Sequence, residues 1–260
     1  MDLSVGQHAL AALAAAGAGF VNAVAGGGTL ISFPTLLAIG VPSVRANVTN
    51  AVALCPGYFG GTYAQRTDLA EQRARARAML LPAAAGGLIG SVLLIVSPEK
   101  VFHSLVPFFI LGACLLLGFQ DQIKRALPKR DNNSNTSNVG APPRPVSITT
   151  SAAVLLASVY GGYFGAGLSI IVIAVLGVML DDSTARLNAL KQLIAAAANI
   201  FAAVFFSFSG KVVWSLVLVM APASLLGGQV GGRVVRKIPA KPLRAVVIAF
   251  GIAVAIKQWL

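Results

Sequence analysis

From the N-terminus onward, the chain is a succession of apolar runs of two lengths. The long runs cover His8–Ala25, Ala46–Gln65, Ala78–Val96, Val101–Phe119, Ala185–Phe208, Val212–Val235 and Pro242–Leu260. The short ones cover Thr29–Ile39, Ile148–Tyr160 and Leu168–Leu180. About 20 apolar residues cross a hydrocarbon core of ~30 Å, so each long run is a candidate span. Thr29–Ile39 has eleven residues and, at ~1.5 Å each, reaches about halfway. Glycines punctuate the short runs: Gly26, Gly27 and Gly28 precede Thr29, Gly40-Val41-Pro42 follows Ile39, and GGYFGAG (161–167) precedes Leu168. The pattern predicts an all-α, polytopic transmembrane protein with a broken or re-entrant half-helix in each half.

The polar stretch IKRALPKRDNNSNTSNVGAPPRPVS interrupts the series. Rich in Asn, Ser and Pro and basic at both ends, it reads as a linker. It divides the chain into a first transmembrane repeat (7–120), a linker (121–147) and a second repeat (148–260). The halves correspond in order. At an offset of 141, Arg45 falls on Arg186, Asn47 on Asn188, Gly86 on Gly227, Gly87 on Gly228, Gly90 on Gly231, Pro98 on Pro239, Lys100 on Lys241 and Phe109 on Phe250. Nearer the start, an offset of 137 aligns Gly28 with Gly165 and Gly40 with Gly177.

Composition adds the solvent. Hydrophobic residues make up 57% and charged residues 11%, against roughly 45–50% and 25% in soluble domains. So few charges cannot cover a water-facing surface, which excludes a soluble domain, a disordered chain and a nucleic-acid-binding module. The net charge of +12 is explained by where it sits. Arg66, Arg73, Arg75 and Arg77 share one loop. Lys124, Arg125, Lys129, Arg130 and Arg144 lie in or beside the linker, and Arg233, Arg236, Lys237, Lys241 and Arg244 share a third basic segment. Lys/Arg-rich loops stay in the cytoplasm. With Arg186, 15 of the 20 Lys and Arg then lie inside; Arg45, Lys100, Lys211 and Lys257 lie outside, and Lys191 lies within a span. Equivalent loops face opposite ways: 66–77 is inside and its counterpart at Lys211 outside, while 98–100 is outside and 239–241 inside. The two repeats are therefore expected to be inverted, with both termini outside. The N-terminal apolar run lacks the basic region of a cleaved signal, and Cys55 and Cys114, both in apolar runs, read as packing residues.

Inverted repeats whose short helices are broken at matching positions place a transport site at the breaks. A break exposes N–H groups at the start of the second piece, a local anion site. This singles out Gly26, Gly27, Gly28 and Thr29 in the first half and Gly165 and Gly167 in the second. Gly86-Gly87 and Gly227-Gly228 instead suit close helix packing. The segments RANVTNA (45–51) and RLNALKQ (186–192) add polar groups. Asn47 and Asn50 are three residues apart, as are Asn188 and Lys191, so each pair shares a helix face; Gln192 follows. Lys191 lies ~9 Å into its run, and an intramembrane charge is a functional candidate. Asp2, Asp68, Glu71, Glu99, Asp121, Asp131, Asp181 and Asp182 all lie outside the apolar runs, leaving an anionic substrate as the expected counter-charge. Arg45 and Arg186 stand at the two entrances, with Asp181 and Asp182 in reach of Arg186. His8 and His103 form no metal cluster, and no catalytic motif is present, so neither enzyme activity, metal nor cofactor is expected. Trp214 and Trp259 sit where interfacial anchors belong.

AGGGTLISFPTLLAIGVP followed by ANVTNAVAL resembles the first half of the TauE/SafE family. YFGAGLSIIVIAVLG, ARLNALKQLIAAAANIFAAVFF and SLLGGQVGG resemble its second repeat. The family comprises bacterial inner-membrane permeases called sulfite exporters. The resemblance implies a permease for a small anion such as sulfite, an organosulfonate or a related sulfur oxyanion. Its implied partners are that solute and the lipid bilayer, with no nucleic acid and with room for a homodimer. A passive anion channel and a non-transporting scaffold subunit are the alternatives. Inversion has a direct check: cysteines replacing Lys100 and Lys241 should react with an impermeant maleimide from opposite faces of the membrane. Labelling from one face would refute it.

Overall fold

A backbone in hydrocarbon must satisfy its own N–H and C=O groups, and a helix does so within one segment. A computed structural model of the chain describes residues 3–24, 27–126, 146–180, 182–234 and 240–259. Gly26, Asp181 and most of the linker lie outside the described residues. Those residues form twelve helices. In the first half they are α1 (Val5–Val24), α2 (Thr29–Ala38), α3 (Ser43–Ala64), α4 (Arg66–Ala70), α5 (Arg73–Val96), α6 (Glu99–Gly118) and α7 (Gln120–Ala126). In the second they are α8 (Ile148–Tyr163), α9 (Leu168–Met179), α10 (Thr184–Ser207), α11 (Trp214–Val234) and α12 (Ala240–Trp259).

Among the described residues, each apolar run contains a helix, and both predicted breaks fall between helices. The sequence places 66–77 in a loop, whereas the structure makes α4 there and starts α5 five residues before the expected Ala78. The stretch RTDLAEQRARARA holds no Gly or Pro, and Ala, Arg, Leu and Gln favour helix. Side-chain caps fix two starts: Ser147 Oγ accepts from the Thr150 amide, and Ser183 Oγ from that of Arg186. Four helical segments are long and apolar enough to cross a membrane: Arg73–Val96, Glu99–Gly118, Ala185–Ser207 and Trp214–Gly231. Helices α1 and α3, at 20 and 22 residues, have span length. Leu13, Leu81, Val178 and Leu218 are each more than 70% exposed, an outward apolar surface suited to lipid chains.

Packing ties the two halves together. Helix α1 lies along α11 and α5 along α8, the most extensive helix contacts in the molecule. Helix α3 also packs on α10 and α6 on α12. Small residues permit these approaches. A Cβ would fall 2.4 Å from Leu155 O at Gly86, 2.0 Å from Val159 O at Gly90 and 1.9 Å from Ala16 O at Gly227. These glycines serve backbone-to-backbone contact, the packing role their sequence suggests. Within the first half, α1 and α2 run antiparallel. Gly28 sits against the Ala18 carbonyl, while Gln7 Nε2 donates to Ile39 O at the far end of α2 (3.0 Å).

A side chain at Gly90 must push α5 off α8. Gly90→Val should cost about 1–3 kcal/mol or more, as overpacking does, and lower the thermal midpoint in detergent. Gly112, whose Cβ would meet open space, is the control: Gly112→Ala should leave the midpoint unchanged or raise it.

Candidate functional site

The two helix breaks converge on one cavity. Thr29 begins α2 after the first break; Gly161, Gly162, Phe164 and Gly165 belong to the second; Asn47, Asn50 and Tyr58 come from α3 and Asn199 from α10. The cavity holds about 10 Å³, room for one water and too little for any oxyanion. Gly27, Gly165 and Gly167 have φ of +86°, +80° and +79°, conformations that only glycine adopts without a Cβ penalty. Gly165 lines the cavity, whereas Gly27 packs under Leu117 and Gly167 against Leu116 and Ala113 of α6.

At the first break the amides are largely used. Gly28 N–H donates to Asn22 Oδ1 (2.7 Å), and the Leu30 and Ile31 amides bond to the carbonyls of Gly27 and Gly28. Asn47 and Asn50 are both 3% exposed. The Asn47 amide donates one N–H to Tyr163 O (2.8 Å). Asn199 Nδ2 donates to Ala195 O (2.7 Å). Asn50 Oδ1 is buried with no protein partner. On one side of the cavity stands an aromatic cluster. Phe164 stacks on Phe109 (5.0 Å between centroids) and meets Phe33 edge-on (5.4 Å), and Tyr163 contacts Phe102 and Phe109.

Asn188 and Lys191 do not line the cavity. They form a second group about 12–16 Å along α10 from Asn199, at ~1.5 Å per residue. Lys191 Nζ donates to Asn188 Oδ1 (2.7 Å), and Asn188 Nδ2 donates to Oε1 of Gln65, just past the end of α3 (3.1 Å). Gln192 is half-buried beside Lys191. Beyond this group, toward the basic loops, lies a charged cluster. Arg75 pairs with Asp182 at 2.5 Å, both largely buried. Arg186 reaches Asp182 (3.7 Å) and Glu71 (2.9 Å), and Gln72 Nε2 donates to Arg186 O. These contacts join α4 and α5 of the first half to α10 of the second. The equivalent Arg45 makes a neutral contact, donating to Lys211 O (3.3 Å), while Lys211 Nζ donates to Ile95 O (3.1 Å).

This arrangement belongs to a chain that matches the family described as Sulfite exporter TauE/SafE over residues 11–258. The chain is a member of that family of membrane transporters. A Sinorhizobium protein named "Probable membrane transporter protein ORF9" is 29% identical to it, over 98% of this chain and 94% of the relative. The Escherichia coli K12 "Probable membrane transporter protein YfcA" is 24% identical over 89% of this chain and 81% of its own length. A Haemophilus influenzae "Probable membrane transporter protein" is 26% identical, with 90% and 88% covered. No solved structure matches the chain.

For this TauE/SafE protein, several site groups emerge only in three dimensions. Asn199 and Tyr58 join the cavity, Gln65 joins Lys191, and Arg75 joins Asp182. Asn199 carried a usable signal, a lone amide in the run AAAANIFAAVFF, since polar side chains inside a membrane are costly. Gln65 carried none, because it sits at a run's end where polar residues are ordinary. The buried Arg75–Asp182 pair and the exposed Arg186–Glu71 pair should behave differently. Arg75→Gln leaves a buried carboxylate without its main partner and should cost about 3–5 kcal/mol. Glu71→Gln should cost less than about 1 kcal/mol. Denaturant titration of the purified chain would measure both.

Proposed function

We propose that this TauE/SafE transporter is a bacterial inner-membrane permease for a small sulfur oxyanion, sulfite or an organosulfonate, working by alternating access. One observation carries the reading: Lys191, an ammonium inside the span Ala185–Ser207, is held by Asn188, whose amide is held in turn by Gln65 from the other half. A charge at that depth is expensive and marks a solute path. Two side-chain amides orienting it across the α3–α10 contact make a preorganised anion site. Lys191, Asn188 and Gln192 contact the anion. Arg45 and Arg186 draw the anion toward the two mouths.

The exchanged packing supports two inverted repeats spanning 7–120 and 148–260. At the offset of 141, α3, α5 and α6 correspond to α10, α11 and α12, so α1 on α11 and α5 on α8 are equivalent pairings. The antiparallel α1–α2 pair supports a re-entrant hairpin, an even number of crossings before the three remaining spans of that half. The water-sized cavity corresponds to an occluded conformation. Access from the basic side requires the Arg75–Asp182–Arg186–Glu71 cluster to part. Access from the other side requires the aromatic cluster around Phe164 to part. Rocking one repeat against the other does each in turn.

Proteoliposomes containing the purified chain should show saturable uptake of sulfite or of a sulfonate, tested beside sulfate, thiosulfate and carboxylates. Lys191→Ala should lower the initial rate at least tenfold while the protein still elutes as a folded species. Flux that fails to saturate would favour a channel, and the absence of anion flux would overturn the proposal.

A further inference from the structure

The cavity at the helix breaks holds one buried acceptor that no protein group meets, the side-chain oxygen of Asn50. Asn47 and Asn199 each donate one amide N–H, to the carbonyls of Tyr163 and Ala195 respectively. Turning either amide over would set two oxygens against each other, so both orientations are forced by their partners. Each keeps its oxygen and one further N–H. Asn199 Oδ1 lies close to Gly165, 3.9 Å from where that residue's Cβ would be. Asn50, 3% exposed, has a buried oxygen with no protein partner, and a buried orphan acceptor needs a ligand. Thr29 and Tyr58 bring hydroxyl oxygens to the same wall.

We propose that this cavity is a binding site for a monovalent cation of sodium size, the ion that couples transport, separate from the anion group at Lys191. The inference rests on the transport reading only for the word "couples". No carboxylate lines the cavity among the described residues. Divalent calcium and magnesium sites draw on carboxylates, whereas neutral amide, hydroxyl and carbonyl oxygens suit a single positive charge. The space, about 10 Å³, admits one ion or water without a hydration shell. Helix ends decide little: Gly161 and Gly162 near the C-terminus of α8 and Thr29 at the N-terminus of α2 bring opposite partial charges of roughly half a unit, which largely cancel. The buried Asn50 oxygen, without a protein donor, is then what favours a positive charge. Broken-helix transporters place coupling ions at such unwound segments. The position also supplies the coupling, because Asn50 and Tyr58 come from the first half and Asn199 and Gly165 from the second. An ion between them favours the occluded arrangement.

The test uses the full chain. Thermal unfolding in detergent is followed as sodium chloride replaces choline chloride or potassium chloride at constant ionic strength. Sodium should raise the midpoint saturably by about 2–5 °C, and Asn50→Leu should abolish the shift. The same substitution should remove sodium stimulation of sulfite uptake in proteoliposomes, expected to be at least fivefold in the wild type. If Asn50→Leu does not fold, Asn50→Asp decides: keeping the oxygen and adding charge, it should lower the half-saturating sodium at least threefold at pH 8. No sodium-specific shift in the wild type, an equal shift in Asn50→Leu, or unchanged half-saturation in Asn50→Asp would overturn the site. Saturable sulfite flux that ignores sodium would remove the coupling role and leave the permease. A sodium shift without any anion flux would leave the cation site and remove the permease.

Discussion

Close backbone contact between exchanged helices is the constraint on which the rest of this structure hangs. In hydrocarbon there is no hydrophobic force to press two helices together, so association relies on how near they approach. Gly86, Gly90 and Gly227 remove the side chains that would hold α5 from α8 and α11 from α1. Both pairings join the first half of the chain to the second. Neither half can therefore settle alone, and everything between the two crossings lies at a boundary between halves. The cavity, the Lys191 group and the buried ion pair all occupy that boundary.

Opposite physical solutions are used on the two sides of the cavity. Toward the basic loops, Arg75, Asp182, Arg186 and Glu71 bridge the halves with charge. A pair buried like Arg75–Asp182 adds little net stability over an apolar contact, but it is costly to separate into single charges. Toward the opposite side, the halves meet through rings stacked around Phe164 and through cation-to-carbonyl bonds of Arg45 and Lys211. Apolar contacts separate without stranding a charge, and the two cations give up only a carbonyl partner. The occluded form is thus held by a polar latch on one side and a greasy plug on the other, and the two need not open with equal ease.

Two distinct polar groups order the interior. Asn47, Asn50 and Asn199 surround a space for one small particle, with two of their nitrogens turned to backbone carbonyls. More than two helical turns away, Asn188, itself held by Gln65, holds an ammonium. Residues at equivalent positions of the two halves thus play unlike parts: Asn50 corresponds to Lys191 at the offset of 141. A duplicated scaffold with unlike side chains at matching depths can hold two ions of opposite sign on one path.

Much of this was legible in the chain alone. Apolar runs of span length, the glycine breaks and the ordered correspondence between halves follow from local rules. Each is a property of neighbouring residues and of the backbone's need for internal hydrogen bonds. Lys191 was conspicuous for the same reason, as a charge inside an apolar run. The helical start of α5 at Arg73 is masked in the sequence by a charge pattern that suggests a loop, although Arg and Ala favour helix. What only the tertiary structure decided was company. That Gln65 orients Asn188, that Arg75 meets Asp182, and that Asn47 donates to Tyr163 are contacts between residues more than 100 positions apart. Sequence spacing carries no signal of that kind, because an amide is donor and acceptor at once and its role is set by whichever partner the fold brings to it.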